Sequence, residues 1–197
     1  MNYPSAADTL IDEEEFARDE RLPYWADLWP SAVAIARSVA EYASEERLAG
    51  RRVIELGCGV GLPSVVTLAS GASVTATDHY EAALDFARYN ALVNLGCEPH
   101  TRLLDWHAPS TEGIGSFDLV LAADVLYEQR NVPALAVLMP ALLNPGGEVL
   151  LADPRRKSAP AFLERMRERG CYSSTQERSV TSNGRTVMVL VHRLRRR

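Results

Sequence analysis

The chain has 197 residues, 47% hydrophobic and 24% charged, with a net charge of -5. It is long enough for one well-buried domain, it contains no run of eighteen apolar residues that would make a transmembrane helix, and its negative balance argues against a general nucleic-acid binder. Cys58, Cys97 and Cys171 are odd in number and widely spaced, so they form neither a disulfide framework nor a zinc pattern, and a buried, inert thiol is expected of each.

Residues 1–22 are polar, and Asp12-Glu13-Glu14-Glu15 stands where a secretory leader would be basic and apolar. The expectation is a loosely docked polar segment over 1–22, one domain over 23–197 and a cytoplasmic protein. Trp25 and Trp29 follow among prolines, either as core residues or as a lid. Pro30 can open a helix, whose apolar side carries Val33, Ile35, Val39 and Tyr42 and which ends by Gly50.

Strand-like and helix-like stretches then alternate. Strands are expected at 52–56, 73–78, 101–104, 117–123 and 148–152, and helices from about 62, at about 80–94, 131–143 and 158–169. Such alternation predicts an α/β doubly wound, mainly parallel sheet. Asn144-Pro145-Gly146-Gly147 reads as a turn before the fifth strand. Two extended runs, 172–178 and 186–192, flank an Asn183-Gly184 hairpin signal, which predicts a terminal antiparallel pair. The chain ends Arg193-Leu194-Arg195-Arg196-Arg197, either a solvated tail or a guide for an acidic partner. Lys157 is the only lysine; an arginine-rich genome explains that, and a bacterial source is expected.

The chemistry concentrates between Glu55 and Gly61, read Glu-Leu-Gly-Cys-Gly-Val-Gly. Glycines at 57, 59 and 61 let a strand turn sharply into a helix and approach a ligand closely. Asp78 ends the next apolar stretch, where an acid is placed to accept hydrogen bonds from ribose hydroxyls. Together these predict an adenosine-containing cofactor. A nicotinamide dinucleotide fingerprint would need glycine at position 62, which is Leu, and no phosphate-binding G-x-x-x-x-G-K-[ST] is present. Glu55 to Gly61, Asp78, Asp105 and Asp124 all fall at carboxyl ends of expected strands, where open parallel sheets bind ligands. His79, His100, His107 and His192 are scattered and are expected as surface or turn residues, with His79 bordering the cofactor.

The Glu55–Gly61 segment resembles the first motif of class I S-adenosylmethionine-dependent methyltransferases. Leu103-Leu104-Asp105-Trp106 is similar to the family segment lining the adenine pocket, and 117–127 to its fourth strand and exit loop. Asp124-Val125-Leu126-Tyr127, a D-x-x-Y, and the upstream Trp29-Pro30 resemble the protein-lysine branch, methyltransferase family 16. The resemblance covers roughly 23–170. It implies a Rossmann-like seven-stranded sheet of order 3-2-1-4-5-7-6 with strand 7 antiparallel, and S-adenosyl-L-methionine as cofactor with S-adenosyl-L-homocysteine as product. By the same resemblance Trp29, Glu55, Gly57, Cys58, Gly59, Gly61, Asp78, His79, Asp105, Trp106 and Ala123 bind the cofactor, with Glu55 near its amino group, while Asp124 and Tyr127 contact a target lysine. The acceptor is then a lysine of a protein substrate. A small-molecule amine is the rival, and a non-catalytic cofactor-binding protein the third reading. Nucleic acid is disfavoured because the loop at 124 lacks the N-P-P-[YF] pattern used on base amines. Arg155-Arg156-Lys157 falls at the rim after the fifth strand, as a solvated loop or as a contact for an acidic substrate.

Overall fold

Strands whose residues are buried on both faces form the covered centre of a parallel sheet, and three build it here: β1 (Arg52–Leu56), β2 (Ser73–Asp78) and β4 (Phe117–Ala123). The structure is a computed structural model that describes residues 1–4, 24–46, 48–110, 112–182 and 184–196. Around those strands run a short 3-10 turn (Tyr24–Ala26), α1 (Pro30–Glu46), α2 (Leu62–Ala69), α3 (Glu81–Leu95), β3 (His100–Leu103), α4 (Asn131–Ala141), β5 (Leu143–Asp153), α5 (Ala159–Glu168), β6 (Cys171–Ser182) and β7 (Arg185–Arg196).

The seven strands make one sheet of order β3-β2-β1-β4-β5-β7-β6. Val53 of β1 pairs with Val74 on one side and Leu119 on the other, so the chain reverses its direction of travel across the sheet between β1 and β4. Only β7 is antiparallel to its neighbours, with Ala152 opposite Val191 and Thr175 opposite His192. One face packs Ile54, Leu56, Val120, Ala122, Val149 and Leu151 against α4 and α5. The other packs Val53, Leu119, Leu121 and Leu150 against Ile35, Val39 and Tyr42 of α1. The α/β, doubly wound class and the strand order inferred from the sequence are both present.

Several expectations are corrected. Asn144-Pro145-Gly146-Gly147 is not a turn before β5 but a bulge within it. Phe117 pairs with Leu143 and Leu119 with Glu148, so residues 144–147 stand opposite Asp118 alone and three extra residues bow out of the ladder. Gly146 takes φ 78 there, and a Cβ on Gly147 would lie 3.0 Å from the carbonyl oxygens of both Phe117 and Asn144. The terminal strands run well past 172–178 and 186–192, and Asn183 at their junction lies outside the described residues. Arg193 and Arg195 are strand residues whose guanidinium groups grip Glu148, so they are not a solvated tail. His192 is buried on β7 with Nδ1 against Thr175 Oγ1 at 2.8 Å, and Cys97 is exposed. The polar segment expected at 1–22 falls mostly on residues outside the described set; Asn2 pairs with the Asn90 side chain of α3 through its N–H and its carbonyl, at 2.7 and 2.8 Å. Among the described residues, no helix is long and apolar enough to cross a membrane.

Phe162 of α5 is 0% exposed in the core beneath β5. Phe162→Ala is therefore expected to cost about 3–5 kcal/mol of unfolding free energy, transfer and cavity terms together, measured by urea denaturation.

Candidate functional site

The turn after β1 exists because three glycines accept backbone angles that other residues resist. Gly57, Gly59 and Gly61 have φ of 70, 50 and 83. The space around them is closed as well. A Cβ on Gly57 would sit 3.0 Å from Trp106 Cζ2, one on Gly59 3.0 Å from the Trp25 carbonyl oxygen, and one on Gly61 2.8 Å from Ala87 of α3. The turn is tied to the next strand: Cys58 N–H donates to Thr77 O at 2.9 Å, and Gly59 N–H donates to Asp78 Oδ2 at 2.9 Å. Asp78 Oδ1 accepts from Tyr80 N–H at 3.1 Å. Burial pushes the Asp78 carboxyl above its usual range despite these donors, so its charged form has room for more.

Glu55 lies deeper, 1% exposed, with one oxygen accepting from Ser64 Oγ of α2. Burial pushes its carboxyl up to about 8. A cation brought to this end of the turn would restore its ionisation.

The strand ends and the loops after them enclose a cavity of about 380 Å³, a size that suits a small organic ligand. It opens at the crevice between β1 and β4 where the strand order reverses, which is the ligand position of open α/β sheets. Of the residues singled out in the sequence, Trp29, Glu55, Gly57, Cys58, Gly59, Asp78, His79, Asp105, Trp106, Ala123, Asp124 and Tyr127 all line this one cavity. Gly61 does not: it is the N-cap of α2, and its lack of a side chain serves the contact with α3. His107 sits in an exposed bend, as expected of a surface or turn residue, and from there lines the cavity with Nε2 against Asn131 Oδ1 at 3.1 Å.

The far wall is aromatic and charged. Trp29 Nε1 donates to the Tyr24 carbonyl at 2.7 Å, which fixes the indole, and the Tyr24 ring lies 5.5 Å from that of Tyr127. Trp25 packs on Phe86 with ring centroids 5.6 Å apart. Burial, then the neighbouring Glu128 carboxylate, pushes the Tyr127 hydroxyl up to about 12, so it stays a neutral donor at physiological pH. Asp124 is 8% exposed and holds a left-handed φ of 56, unusual for a non-glycine residue. Both of its carboxylate oxygens accept from Arg156, Oδ1 from Nε at 2.8 Å and Oδ2 from Nη2 at 2.9 Å.

Two positioning contacts escaped the sequence reading. Asn131 Nδ2 donates to Val125 O at 3.0 Å, and Ser158 Oγ donates to Leu126 O, so the loop from Asp124 to Tyr127 is held by α4 and by the residue before α5. A polar residue at each helix entry was the available signal. Arg156 is the third omission, visible in the sequence only as part of a basic rim.

The residues fit an adenosyl cofactor on three counts. The glycine cradle has no room for side chains, the Asp78 and Glu55 carboxyls line the cavity with their charged forms disfavoured by burial, and Trp106 Nε1–H is buried beside it with no acceptor. Residues 16–169 match the profile of the lysine methyltransferase family. The chain is 33% identical over 140 residues to the electron transfer flavoprotein beta subunit lysine methyltransferase of Danio rerio, covering 68% of this chain and 51% of that protein. It is 33% identical over 177 residues to protein N-lysine methyltransferase METTL21A of Danio rerio, covering 86% and 80% respectively. The chain thus spans about half the length of the first relative and four fifths of the second. Its fold matches that of magnesium protoporphyrin IX methyltransferase from Synechocystis PCC 6803, solved with bound S-adenosylmethionine, at a TM-score of 0.69 and 19% identity over 100% of both chains.

Two predictions follow from the cradle. In Gly61→Ala, the left-handed φ and the 2.8 Å approach to Ala87 should cost at least about 1–3 kcal/mol of stability, read by urea denaturation; an unchanged midpoint would show that α3 can retreat. The second concerns pH. The folded, ligand-free protein keeps the Glu55 proton that the unfolded chain releases near 4.5, so this stabilisation is full below 4.5, declines as pH rises and is lost by about 8. Wild type should therefore lose stability relative to Glu55→Gln between about pH 5 and 8, by an amount on the order of a few kcal/mol. Parallel curves for the two proteins would mean that Glu55 is ionised throughout.

Proposed function

The chain belongs to the lysine methyltransferase family, and from that premise we propose that it transfers a methyl group from S-adenosyl-L-methionine to a lysine side-chain amine of a protein. One observation carries the reading: the D-x-x-Y pair, Asp124 and Tyr127, lines the same cavity as the glycine cradle, so an acceptor held by the pair faces a donor held by the turn.

When bound, the cofactor supplies a methyl carbon already attached to a positively charged sulfur, a good leaving group. The protein's task is then alignment, which can supply several kcal/mol of barrier reduction. Asp78 is placed to accept from the ribose hydroxyls, and Trp106 and Asp105 to border the base. Glu55, beneath the turn, would hold the cofactor's ammonium. On the acceptor side, a lysine amine with a solution pKa near 10.4 must be uncharged before it attacks. Asp124 orients its N–H, and Tyr127 offers a ring face and a protonated hydroxyl. As the N–C bond forms and the C–S bond breaks, the surplus proton on the amine nitrogen passes to water.

A protein acceptor is favoured by the relatives, whose names place their lysine methylation on proteins. A small-molecule amine would use the same two residues. The free thiols of Cys58, Cys97 and Cys171 suit a reducing compartment, and the arginine-for-lysine bias suits a bacterial source; a cytoplasmic bacterial setting belongs to the same proposal and is checked by fractionating source cells.

The test is incubation with tritiated S-adenosylmethionine and a lysate of the source organism, resolved by gel. A discrete labelled band is expected with wild type. With Asp124→Ala it should weaken by ~100-fold or more, the scale of losing one group that acts in the transition state, while S-adenosylhomocysteine affinity by calorimetry changes little. Label confined to small molecules would overturn the protein acceptor.

A further inference from the structure

We propose that Arg156 is a specificity-determining residue that neutralises Asp124, so that the acceptor is bound as an uncharged amine and not as a cation. The inference rests on the reading above that Asp124 faces an amine.

The pair is built in, not incidental. The Asp124 side chain is 7% exposed and the Arg156 side chain 37%. The guanidinium meets the carboxylate in the fork geometry that matches two parallel hydrogen bonds. Both residues are also anchored by their main chains to the end of β5. Asp124 N–H donates to Ala152 O at 2.8 Å, and Arg156 N–H donates to Asp153 Oδ1 at 2.8 Å. The left-handed φ of Asp124 aims the carboxylate into this arrangement at a cost in backbone energy.

The chemistry explains what the pair achieves. At neutral pH only about one lysine amine in 2,500 is uncharged, from a pKa near 10.4. A lone buried carboxylate would make this worse, because an opposite charge nearby raises an amine's pKa. It would hold the substrate tightly in the form that cannot react. A guanidinium stays protonated at any working pH, so the Asp124 charge is compensated throughout. The carboxylate keeps lone pairs that can accept an amine N–H, and a second cation beside the guanidinium is repelled.

Two other titratable groups meet this pair, Asp153 from the end of β5 and Tyr24 from the 3-10 turn, and Tyr127 and Glu128 line the same cavity from the loop that Asp124 begins. Glu55 and Asp78 lie across the same cavity. All of these are shared by wild type and the variants below, so a difference between the proteins reports the pair.

The experiment uses n-butylamine as a lysine side-chain probe, titrated calorimetrically into the full chain from about pH 7 to 9, with and without S-adenosylhomocysteine. Wild-type affinity should rise about tenfold per pH unit, because only the neutral fraction binds. Arg156→Gln should bind the cation, with affinity at pH 7 at least about tenfold above wild type and changing less than about threefold across the range. Arg156→Lys, which keeps a charge, should restore the steep dependence. The same slope in wild type and Arg156→Gln would overturn the proposal, as would Arg156→Lys behaving like Arg156→Gln. Retained S-adenosylhomocysteine affinity shows that the variants are folded. If wild type fails to bind S-adenosylhomocysteine, the cofactor reading falls, and the amine titration without it still decides the role of the pair.

Discussion

The Asp78 carboxylate is the fixed point of the ligand-facing edge. It ends β2, yet it accepts the N–H of Gly59, a residue in the turn after β1. That bond, with Cys58 N–H on Thr77 O, binds the turn sideways to the neighbouring strand. The turn can meet β2 only because residue 59 takes φ 50, and residues 57 and 61 must take similar angles to leave β1 and enter α2. Glycine tolerates those angles where other residues pay for them. Everything that would hold the donor half of a reaction follows from this one closure: the main chain comes within reach of the cavity, Trp106 slides against the bare Cα of Gly57, and Glu55 is sealed beneath with Ser64.

This explains which parts of the molecule were legible in the sequence. β1, β2 and β4 were readable to the residue because each is a short stretch of apolar or β-branched residues ended by a glycine or an acid, and because a parallel strand buried on both faces permits little else. The terminal pair was readable from its turn signal, though its length was not, since the polar residues of the edge strand β6 and the arginines that end β7 do not read as strand. Asn144-Pro145-Gly146-Gly147 misled for a physical reason. The residues that favour a turn between elements also favour a bulge within one, and only the pairing of Phe117 with Leu143 separates the two. His192 was misplaced because its burial comes from the sheet around it, as Thr175 and β5 pack across β7.

The site divides in the same way. The donor side is made by main chain and by acids at strand ends, so it leaves a contiguous motif with fixed spacing. The opposite wall is made by side chains that meet across the fold. Arg156 and Asp124 are 32 residues apart, and their bond needs β5 to lie beside β4. A basic rim in the sequence suggested a contact for an acidic substrate; the acid that Arg156 contacts is instead the chain's own.

That division also fits what likeness to other proteins can and cannot transfer. Magnesium protoporphyrin IX methyltransferase shares the fold at 19% identity, yet its name gives it an acceptor unlike a lysine. A sheet that ends in a glycine cradle therefore sets the donor and leaves the acceptor open. In this chain the choice must be made by the opposite wall, where Tyr24, Trp29 and Tyr127 present aromatic surface and Asp124 arrives already paired. A carboxylate whose charge is cancelled selects by shape and hydrogen bonding instead of by charge. Such a wall would favour a long, slim amine that enters without its proton, and would bind its charged form weakly. The cost is affinity for the abundant species. The gain would be that any amine so bound is already the nucleophile.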